Sequence, residues 1–551
     1  MAERTLVQLF EDSVKKYGDN IFMLEKKKDT YEGMTYRELS EFVYKFSAGL
    51  MSLGIQNGDR IALIAEGRNE WVISELGILY TGAISVPLSV KINELSDLKF
   101  RLSHSECRMA VTSGRHLHKV LSIKKDLPEL KKIIVLDPIE ESNELVLPLK
   151  KLYELGEAYL AEHREKFESQ WHDVKEGNTA NICYTSGTTA NPKGVILTHR
   201  NYTANIDQAA SLVPIPEWYT SLIILPWDHS FAHTAGIYVM MKNGASISSI
   251  QVGDSPMETL KNIPINIKET KPVFLLSVPS LSKKFRKHIE KSIRQKGPKV
   301  ENLFNNALKI AYKYNGIGWD RGKGLKIFLK PLYALYDKIL FSKIRKSFGG
   351  QLNFFIGGGS LLDIELQRFF YAIGIPIYQG YGLTEAAPII SINVPSKHKI
   401  GSSGSVVANL QVKICDEKGN ELSVEEKGEI VVKGENVMAG YWNNEKSTAE
   451  TLRDGWLHTG DLGYLDKDNF LYVLGREKSL LINNGGEKYS PEGIEEALAA
   501  QSSYIDQVCF IITSQPIRLL CWFLIGTISS GCSLKKDYDL KMRKVKMRFF
   551  N

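Results

Sequence analysis

Residues Tyr184 to Val195 have the sequence Y-T-S-G-T-T-A-N-P-K-G-V and follow a short apolar run that predicts the end of a strand. Glycines let the backbone turn its N–H groups inward, hydroxyl groups donate hydrogen bonds, and a lysine adds a mobile positive charge. The stretch therefore predicts a phosphate-binding loop, although an ordinary Ser/Thr/Gly surface turn has a similar composition. The residues that supply these groups are Thr185, Ser186, Gly187, Thr188, Thr189, Lys193 and Gly194.

This loop differs from a Walker phosphate loop. The Walker pattern places a lysine after a glycine and a Ser or Thr after the lysine, and that hydroxyl binds Mg²⁺. Here Lys193 precedes Gly194, and Val195 follows. Any magnesium ligand must therefore come from elsewhere in the chain.

The composition indicates a soluble, multidomain protein. The chain has 551 residues, which is too long for one small core. Of these residues 43% are hydrophobic and 24% are charged, as in soluble globular proteins. The net charge of +7 is concentrated in runs at 283–299 and 535–548. Such runs are typical of solvated faces, and attraction to anionic lipid or to an acidic partner stays open. Without interleaved aromatic residues they do not favour nucleic acid.

Cysteine usage and hydropathy predict a cytoplasmic location. The six cysteines are scattered without a C-x-x-C pair, which argues for a reducing compartment and against structural zinc. The first residues lack the apolar core of a signal peptide, and the best apolar run, Leu519 to Ile528, is too short to span a bilayer. Peripheral membrane association is left open.

The spacing of apolar segments predicts an α/β fold. A strand at 60–65, a helix at 71–80 and a strand at 83–87 begin an alternation that continues toward Tyr378, which predicts a mainly parallel sheet. Thr35 and Glu38 form a capping-box pattern before a helix. A lysine-rich and aromatic-rich insertion at about 282–348 is predicted to be helical, and glycine turns after about 405 predict a small β subdomain.

Two glycine-containing stretches have the chemistry of a nucleotide site. Residues 354–361, F-F-I-G-G-G-S-L, run from a strand into Gly357, Gly358 and Gly359, where backbone can approach a planar ligand. Residues 378–388, Y-Q-G-Y-G-L-T-E-A-A-P, offer further groups. Tyr381 could stack on a base, although it could equally be a packing aromatic. Thr384 could donate to a phosphate, and Glu385 is a hard oxygen ligand suited to Mg²⁺ carried by ATP.

A further acid and a further cation follow. Residues 455–463, G-W-L-H-T-G-D-L-G, present Asp461 between two glycines, a placement suited to ribose hydroxyls. The later stretch Gly475-Arg476-Glu477-Lys478 closes a strand and adds a second cation, Arg476. Taken alone, Asp461 fits an Asx turn equally well, and Arg476 fits a surface ion pair.

Five motifs occur in order and together resemble the adenylate-forming (AMP-binding) superfamily, from about Leu6 to about Cys509. They are Y-T-S-G-T-T-A-N-P-K-G-V, L-P-W-D-H-S-F-A-H, Y-Q-G-Y-G-L-T-E, G-W-L-H-T-G-D-L-G and L-G-R-E-K. That superfamily includes acyl-CoA synthetases, luciferases and peptide-synthetase adenylation domains. The insertion followed by F-S-K-I-R-K-S-F-G-G-Q-L-N-F-F-I-G-G-G-S-L is similar to the long-chain fatty acyl-CoA synthetases, a few of which use acyl carrier protein instead of coenzyme A.

The resemblance implies layered α/β/α sheets in an adenylation domain at 1–475, the start of a mobile α+β domain at 476–510, and a two-step reaction. A fatty carboxylate attacks the α-phosphate of ATP, and a thiol then attacks the acyl-AMP. Lys193, Thr384 and Glu385 with Mg²⁺ would neutralise charge. The remaining roles it implies are His229 at the acyl carboxylate, with Trp227 and Phe231 beside it as pocket walls, Asp461 and Arg476 at the ribose, and Gly357, Gly358, Gly359, Tyr381 and Gly382 around the adenine.

The C-terminal sequence departs from the family pattern. Asn483 to Lys488 resembles the loop near the thiol tunnel, and Ser490-Pro491 predicts the start of a helix. Residues 511–551 form a basic tail without the Gly-Lys whose lysine bridges carboxylate and α-phosphate in the family, and Ser479 replaces an acidic hinge residue. A frameshift, a splice variant or a misjoined gene model would explain the tail, as would a genuine lineage-specific one. A slow ligase and a non-catalytic ATP- and fatty-acid-binding protein are both expected alternatives.

Overall fold

The computed structural model describes residues 4–139, 143–185 and 192–476, together with the backbone of two short strands at 481–482 and 488–489. The chain divides into two compact units, Met1–Leu474 and Gly475–Asn551. The predicted helix after Ser490, the hinge position Ser479 and the basic tail lie outside the described residues.

The α-helices of the described residues are α1 (Leu6–Tyr17), α2 (Tyr36–Ser52), α3 (Asn69–Tyr80), α4 (Leu95–His104), α5 (Gly114–Ile123), α6 (Leu149–His172), α7 (His199–Leu212), α8 (Val239–Lys242), α9 (Pro256–Thr270), α10 (Pro279–Arg294), α11 (Pro298–Asn315), α12 (Lys330–Tyr336), α13 (Ser342–Ser347), α14 (Ile364–Ala372) and α15 (Glu445–Thr451). Short 3₁₀ segments lie at Lys124–Asp126, Gly324–Leu329 and Thr384–Ala386, and π-helical turns at Ala232–Tyr238 and Asp337–Phe341.

The strands are β1 (Ile21–Lys27), β2 (Thr30–Thr35), β3 (Arg60–Ile64), β4 (Ile84–Pro87), β5 (Met109–Thr112), β6 (Lys132–Val135), β7 (Val146–Pro148), β8 (Thr179–Thr185), β9 (Lys193–Thr198), β10 (Thr220–Ile223), β11 (Ser246–Ser249), β12 (Phe274–Ser277), β13 (Phe354–Gly357), β14 (Ile377–Gly382), β15 (Ile389–Ile392), β16 (Ser405–Val406), β17 (Leu410–Cys415), β18 (Gly428–Gly434), β19 (Gly440–Tyr441), β20 (Leu452–Arg453), β21 (Trp456–Leu465), β22 (Leu471–Arg476), β23 (Leu481–Ile482) and β24 (Lys488–Tyr489).

The first large sheet has the order β19-β9-β8-β4-β3-β5-β6-β7. Its interior pairs are parallel, whereas β8 and β9 form an antiparallel hairpin whose last pair is Thr185 with Lys193. Strands β4 and β5 are buried along their whole length, as expected for parallel strands covered by helices on both faces. The predicted α/β alternation is therefore confirmed, and the predicted phosphate loop connects the two strands of the hairpin.

The second large sheet has the order β16-β15-β14-β13-β12-β10-β11-β1-β2. Its central strands are parallel, so the carboxyl ends of β13 and β14 lie at the same edge, with Gly357 opposite Gln379. Open parallel sheets bind ligands at this edge. Both glycine-containing stretches of the sequence end there.

The capping box is present at α2, where Thr35 and Glu38 bond to each other's backbone N–H groups. The insertion is helical over α10–α13, as predicted, and packs on β12 and β13 through a cluster that includes Phe285, Phe304 and Phe355. The β subdomain consists of β17, β18, β20, β21 and β22. Within the part of the chain described, no helix is both long and apolar enough to cross a bilayer.

Candidate functional site

A mostly apolar cavity of about 90 Å³ opens where β13 and β14 end. Strand β14 continues past the cavity into the segment that carries Thr384. The sequence-predicted residues that line the cavity are His229, Gly357, Gly358, Gly359, Tyr381, Gly382 and Thr384, and its apolar walls include Val213, Phe231, Val239, Phe274, Ile356 and Ile392. The structure thus gathers seven predicted residues, from three separate stretches of sequence, around one opening.

Close packing accounts for two of these glycines, against backbone at Gly382 and against a side chain at Gly357. A Cβ at Gly382 would lie 2.0 Å from the carbonyl oxygen of Pro388, and a Cβ at Gly357 would lie 2.9 Å from a methyl group of Ile377. A Cβ at Gly358 would point at the ring of Phe231 from 3.2 Å. Gly358 therefore keeps space in the cavity, whereas Gly382 and Gly357 are required by the fold around it.

His229 reaches the cavity from the turn before a π-helical segment, a local distortion often found at functional sites. Burial lowers the pKa of its imidazole, an effect that the neighbouring Asp228 partly opposes. Phe231 also lines the cavity, as expected for a pocket wall. Trp227, expected to do the same, instead packs edge-on against Trp71 at 5.8 Å between ring centroids.

A polar cluster of Lys193, Tyr441 and Glu385 lies next to the cavity segment. The Lys193 ammonium lies 4.8 Å from the centroid of the Tyr441 ring, a cation–π distance. The Tyr441 hydroxyl donates to Glu385 Oε1 at 2.9 Å. Tyr441 thus connects the predicted cation to the predicted carboxylate.

Strand pairing builds this cluster from distant parts of the sequence. Tyr441 in β19 pairs with Val195 in β9, two residues after Lys193. Met438 donates its backbone N–H to the carbonyl oxygen of Glu385 at 2.8 Å, which ties this segment to the residue after Thr384. Sequence reasoning missed Tyr441 because nothing in a lone G-Y-W run indicates which strand it will join.

Thr384 faces a second hydroxyl group. Its Oγ1 lies 3.2 Å from Oγ of Ser230, which is buried and follows His229 in the chain. This contact joins the stretch that contains His229 to the start of the 3₁₀ segment that contains Glu385. The hydroxyl and carboxylate predicted for phosphate and Mg²⁺ therefore lie beside the cavity wall.

Asp461 and Tyr381 are brought together by the β subdomain. Asp461 lies in β21, is 6% exposed, and accepts a hydrogen bond of 2.6 Å from the Tyr381 hydroxyl. This bond orients the carboxylate near the cavity residue that was predicted to stack on a base. Arg476, the exposed last residue of β22, belongs to the second unit.

The predicted phosphate loop is described only at its ends. Thr185 is the last residue of β8 and Lys193 the first of β9. Ser186, Gly187, Thr188 and Thr189 lie outside the described residues. Their predicted phosphate contacts stay predictions.

A buried carboxyl group braces the strand that leads into this loop. Glu75 of α3 accepts hydrogen bonds from Ser85 (2.5 Å), Asn181 (2.9 Å) and Tyr238 (2.9 Å). Burial raises the pKa of Glu75, and the three donors partly offset that rise. Because Asn181 is in β8 and Tyr238 ends the π-helical turn, Glu75 links the two segments that border the site.

Glu385 fits a magnesium ion that arrives with a nucleotide. Mg²⁺ prefers oxygen ligands and usually binds through one or two carboxylates plus substrate phosphates. Among the described residues, no group of three or more His, Cys, Asp or Glu side chains could hold a metal ion alone. A single carboxylate beside a hydroxyl and a lysine fits a magnesium ion that is bound mainly by the phosphates of a nucleotide.

An apolar cavity beside a cation, a hydroxyl and a carboxylate, at the strand ends of an α/β sheet, defines an enzyme-like ligand site. The sequence matches the family described as AMP-binding enzyme over residues 10–442. The chain belongs to this family.

Relatives agree with this assignment. The chain is 30% identical to a long-chain-fatty-acid–CoA ligase of Mus musculus, over 92% of this chain and 69% of that protein. It is 29% identical to a long-chain-fatty-acid–CoA ligase of Mycobacterium bovis, over 85% of this chain and 73% of that protein.

Two solved structures share the fold. A long-chain-fatty-acid–CoA ligase from Archaeoglobus fulgidus matches with a TM-score of 0.64 at 19% identity, over 92% of this chain and 88% of that one. An anthranilate–CoA ligase in complex with anthranoyl-AMP matches with a TM-score of 0.70 at 20% identity, over 92% and 84%.

Proposed function

We propose that this chain is an AMP-forming ligase that activates a long-chain fatty acid and transfers it to coenzyme A. In the first step a carboxylate oxygen attacks the α-phosphate of ATP, and pyrophosphate leaves. In the second step the thiol sulfur attacks the acyl carbonyl carbon, AMP leaves, and the thiol proton passes to solvent or base. The observation that carries this proposal is the direct adjacency of the apolar cavity and the polar cluster: Thr384 lines the cavity, and the next residue, Glu385, belongs to the cluster.

Each part of the site has a role in this reaction. The apolar walls at Phe231 and Val239 would hold the part of the acyl chain next to the carboxylate, at about 0.8 kcal/mol for each buried CH₂ group, and the glycines and Tyr381 on the other wall would border the adenine. The His229 side chain would face the carboxylate of the acid. Lys193 and Thr384 would bind phosphate oxygens, and Asp461, oriented by Tyr381, would accept from ribose hydroxyls.

Glu385 would hold Mg²⁺, which supplies charge neutralisation at the phosphates when it is bound. The hydrogen bond from Tyr441 fixes the carboxylate, and the same ring supports the Lys193 ammonium. The Lys193 ammonium and the Glu385 carboxylate are therefore preorganised before the nucleotide arrives, which is how charge developing at a reacting phosphate is stabilised most effectively.

The test is fatty-acid-dependent exchange of pyrophosphate into ATP, followed by thioester formation with coenzyme A or acyl carrier protein supplied in turn. We expect exchange with a long-chain acid and transfer to coenzyme A. If residues 511–551 do not supply the lysine that the family uses at the carboxylate and α-phosphate, exchange should be about 10²–10³ slower than in a family member that has it. Stabilisation of the protein by ATP without exchange or AMP release would contradict the proposal and indicate a binding protein.

A further inference from the structure

The insertion carries a row of exposed apolar side chains. Residues 324–347 form one helical ridge, from a 3₁₀ segment through α12 and a π-helical turn to α13. The exposed stripe of this ridge is Leu325 (85% exposed), Phe328 (78%), Leu332 (38%), Leu335 (52%) and Ile339 (42%). They recur every three or four residues along the ridge, and all five are exposed.

The opposite side of the ridge already serves the core. Tyr333, Phe341 and Ile344 are buried in the cluster that packs the insertion onto the second large sheet. Stability of the fold therefore does not require the exposed stripe to be apolar. A row of large exposed apolar side chains that the core does not use indicates an interaction site.

The surroundings of the stripe are strongly basic. Residues 321–347 contain eight Lys or Arg side chains and one acidic side chain, Asp337. Asp337 pairs with Arg345 at 2.6 Å, and Asp320, just before this range, pairs with Lys326. Both acids are thus matched with cations other than Lys330 and Lys338, which are exposed beside the stripe.

We propose that the exposed stripe, with Lys330 and Lys338, docks on an anionic lipid surface. An amphipathic helix with basic flanks lies in the interface of a bilayer with its apolar face in the headgroup and acyl boundary. Trp319, 37% exposed and under the Lys323 ammonium at 5.4 Å, adds an aromatic ring suited to the same depth. The ligand is a membrane surface that presents negative headgroups.

Charge decides against a second copy of the chain as the occupant. A two-fold contact would place the stripe against itself, and the same basic residues would then face each other. A lipid surface instead supplies the opposite charge. The inference rests on the proposed function in one respect only, because a long-chain acid partitions into bilayers and docking would bring the ligase to its substrate.

The test is flotation of the full chain with vesicles, without ATP or fatty acid. Vesicles of phosphatidylcholine alone are compared with vesicles that contain phosphatidylserine. We expect binding to the second kind only, weakened at high salt. The double variant Leu325→Ser with Phe328→Ser should bind at least tenfold more weakly. The matched control is Met257→Ser with Val424→Ser, two apolar residues 68% and 53% exposed elsewhere, and it should bind as the parent does.

A second pair tests the charges. Lys330→Gln with Lys338→Gln should weaken binding about 25-fold, since each lysine near an anionic surface contributes about fivefold. Exposed Lys418→Gln with Lys427→Gln is the control and should have no effect. Equal binding by parent and stripe variants would overturn the proposal. So would a parent dimer, measured by light scattering, that the stripe variants convert to monomer.

Pyrophosphate exchange is measured on the same preparations with a soluble shorter-chain acid. Exchange that persists in a chain that does not bind vesicles refutes the docking proposal alone. Vesicle binding without any exchange refutes the proposed function alone. The stripe residues line neither the cavity nor the polar cluster, so their variants should retain the parent's exchange rate.

Discussion

The polar cluster and the apolar cavity are adjacent but are built in different ways. The cluster depends on pairing between β9 and β19, which places Tyr441 between Lys193 and Glu385. The cavity depends on glycine backbone at the ends of β13 and β14, where missing side chains leave room. Charge placement should therefore control the rate of reaction, whereas cavity shape should control which acid binds.

The largest effect is expected from Glu385→Gln. Glutamine keeps an oxygen to accept from Tyr441 but loses the negative charge that would hold Mg²⁺. Removing one preorganised group at a reacting phosphate lowers the rate by about 10²–10³. Acid-dependent pyrophosphate exchange at several Mg²⁺ concentrations measures it, with exposed Glu421→Gln as the control. An unchanged rate would separate the cluster from catalysis.

Tyr441→Phe should have a smaller effect, about tenfold on the exchange rate. Phenylalanine keeps a ring beneath Lys193 but removes the hydrogen bond to Glu385, and a bond to a charged group contributes about 1.5–3 kcal/mol. The Mg²⁺ concentration at half-maximal rate should rise while KM for the fatty acid stays constant. Tyr441→Leu, which also loses the ring, should be worse. A change confined to thermal stability would show that Tyr441 acts only in packing.

Gly358→Ala should act on the cavity instead. The new methyl group would approach Phe231 to 3.2 Å, so the ring must shift by a few tenths of an ångström. Such overpacking costs about 1 kcal/mol at its mildest, and KM for a long-chain acid should rise roughly fivefold. Gly177→Ala, where a Cβ meets nothing within 4 Å, is the control. A lower rate at unchanged KM would contradict the division between the two regions.

The smallest effect is expected on the stability of the fold at different pH values, and it does not involve the reaction. Burial lowers the pKa of His199, next to β9, to about 3, and its Nδ1 accepts from the backbone N–H of Leu6. The unfolded chain binds this proton below its ordinary pKa of 6.5. The contribution of His199 to the free energy of unfolding is thus fully present above pH 6.5 and is lost as the pH drops toward 3, by about 1 kcal/mol per pH unit.

Urea unfolding between pH 7 and 5 measures this slope. His199→Asn keeps an acceptor for Leu6 without titrating, so its slope should be flatter than that of the parent. The exposed His288→Asn should leave the slope unchanged. An equal slope in all three proteins would show that His199 does not control the acid sensitivity.

The residues expected to contact the ligand could be predicted from sequence, whereas the residues that position them could not. Lys193, Thr384 and Glu385 stand in motifs whose residue types indicate phosphate and metal chemistry, and the glycines after Phe355 predict a close backbone approach. Tyr441 and Ser230 carry no such local signal. Their contacts with Glu385 and Thr384 join residues 56 and 154 positions apart in the chain.

The sequence by itself determined the α/β alternation, the helical insertion, the β subdomain and the family, because apolar periodicity and motif spacing are local properties. Tertiary structure alone decided that Tyr441 connects Lys193 to Glu385, that Tyr381 orients Asp461, and that Trp227 packs on Trp71 instead of lining the cavity. It also decided that one apolar side of residues 324–347 is buried and the other exposed. These outcomes depend on which strands pair and which faces meet, and the amino-acid order at any one position does not encode them.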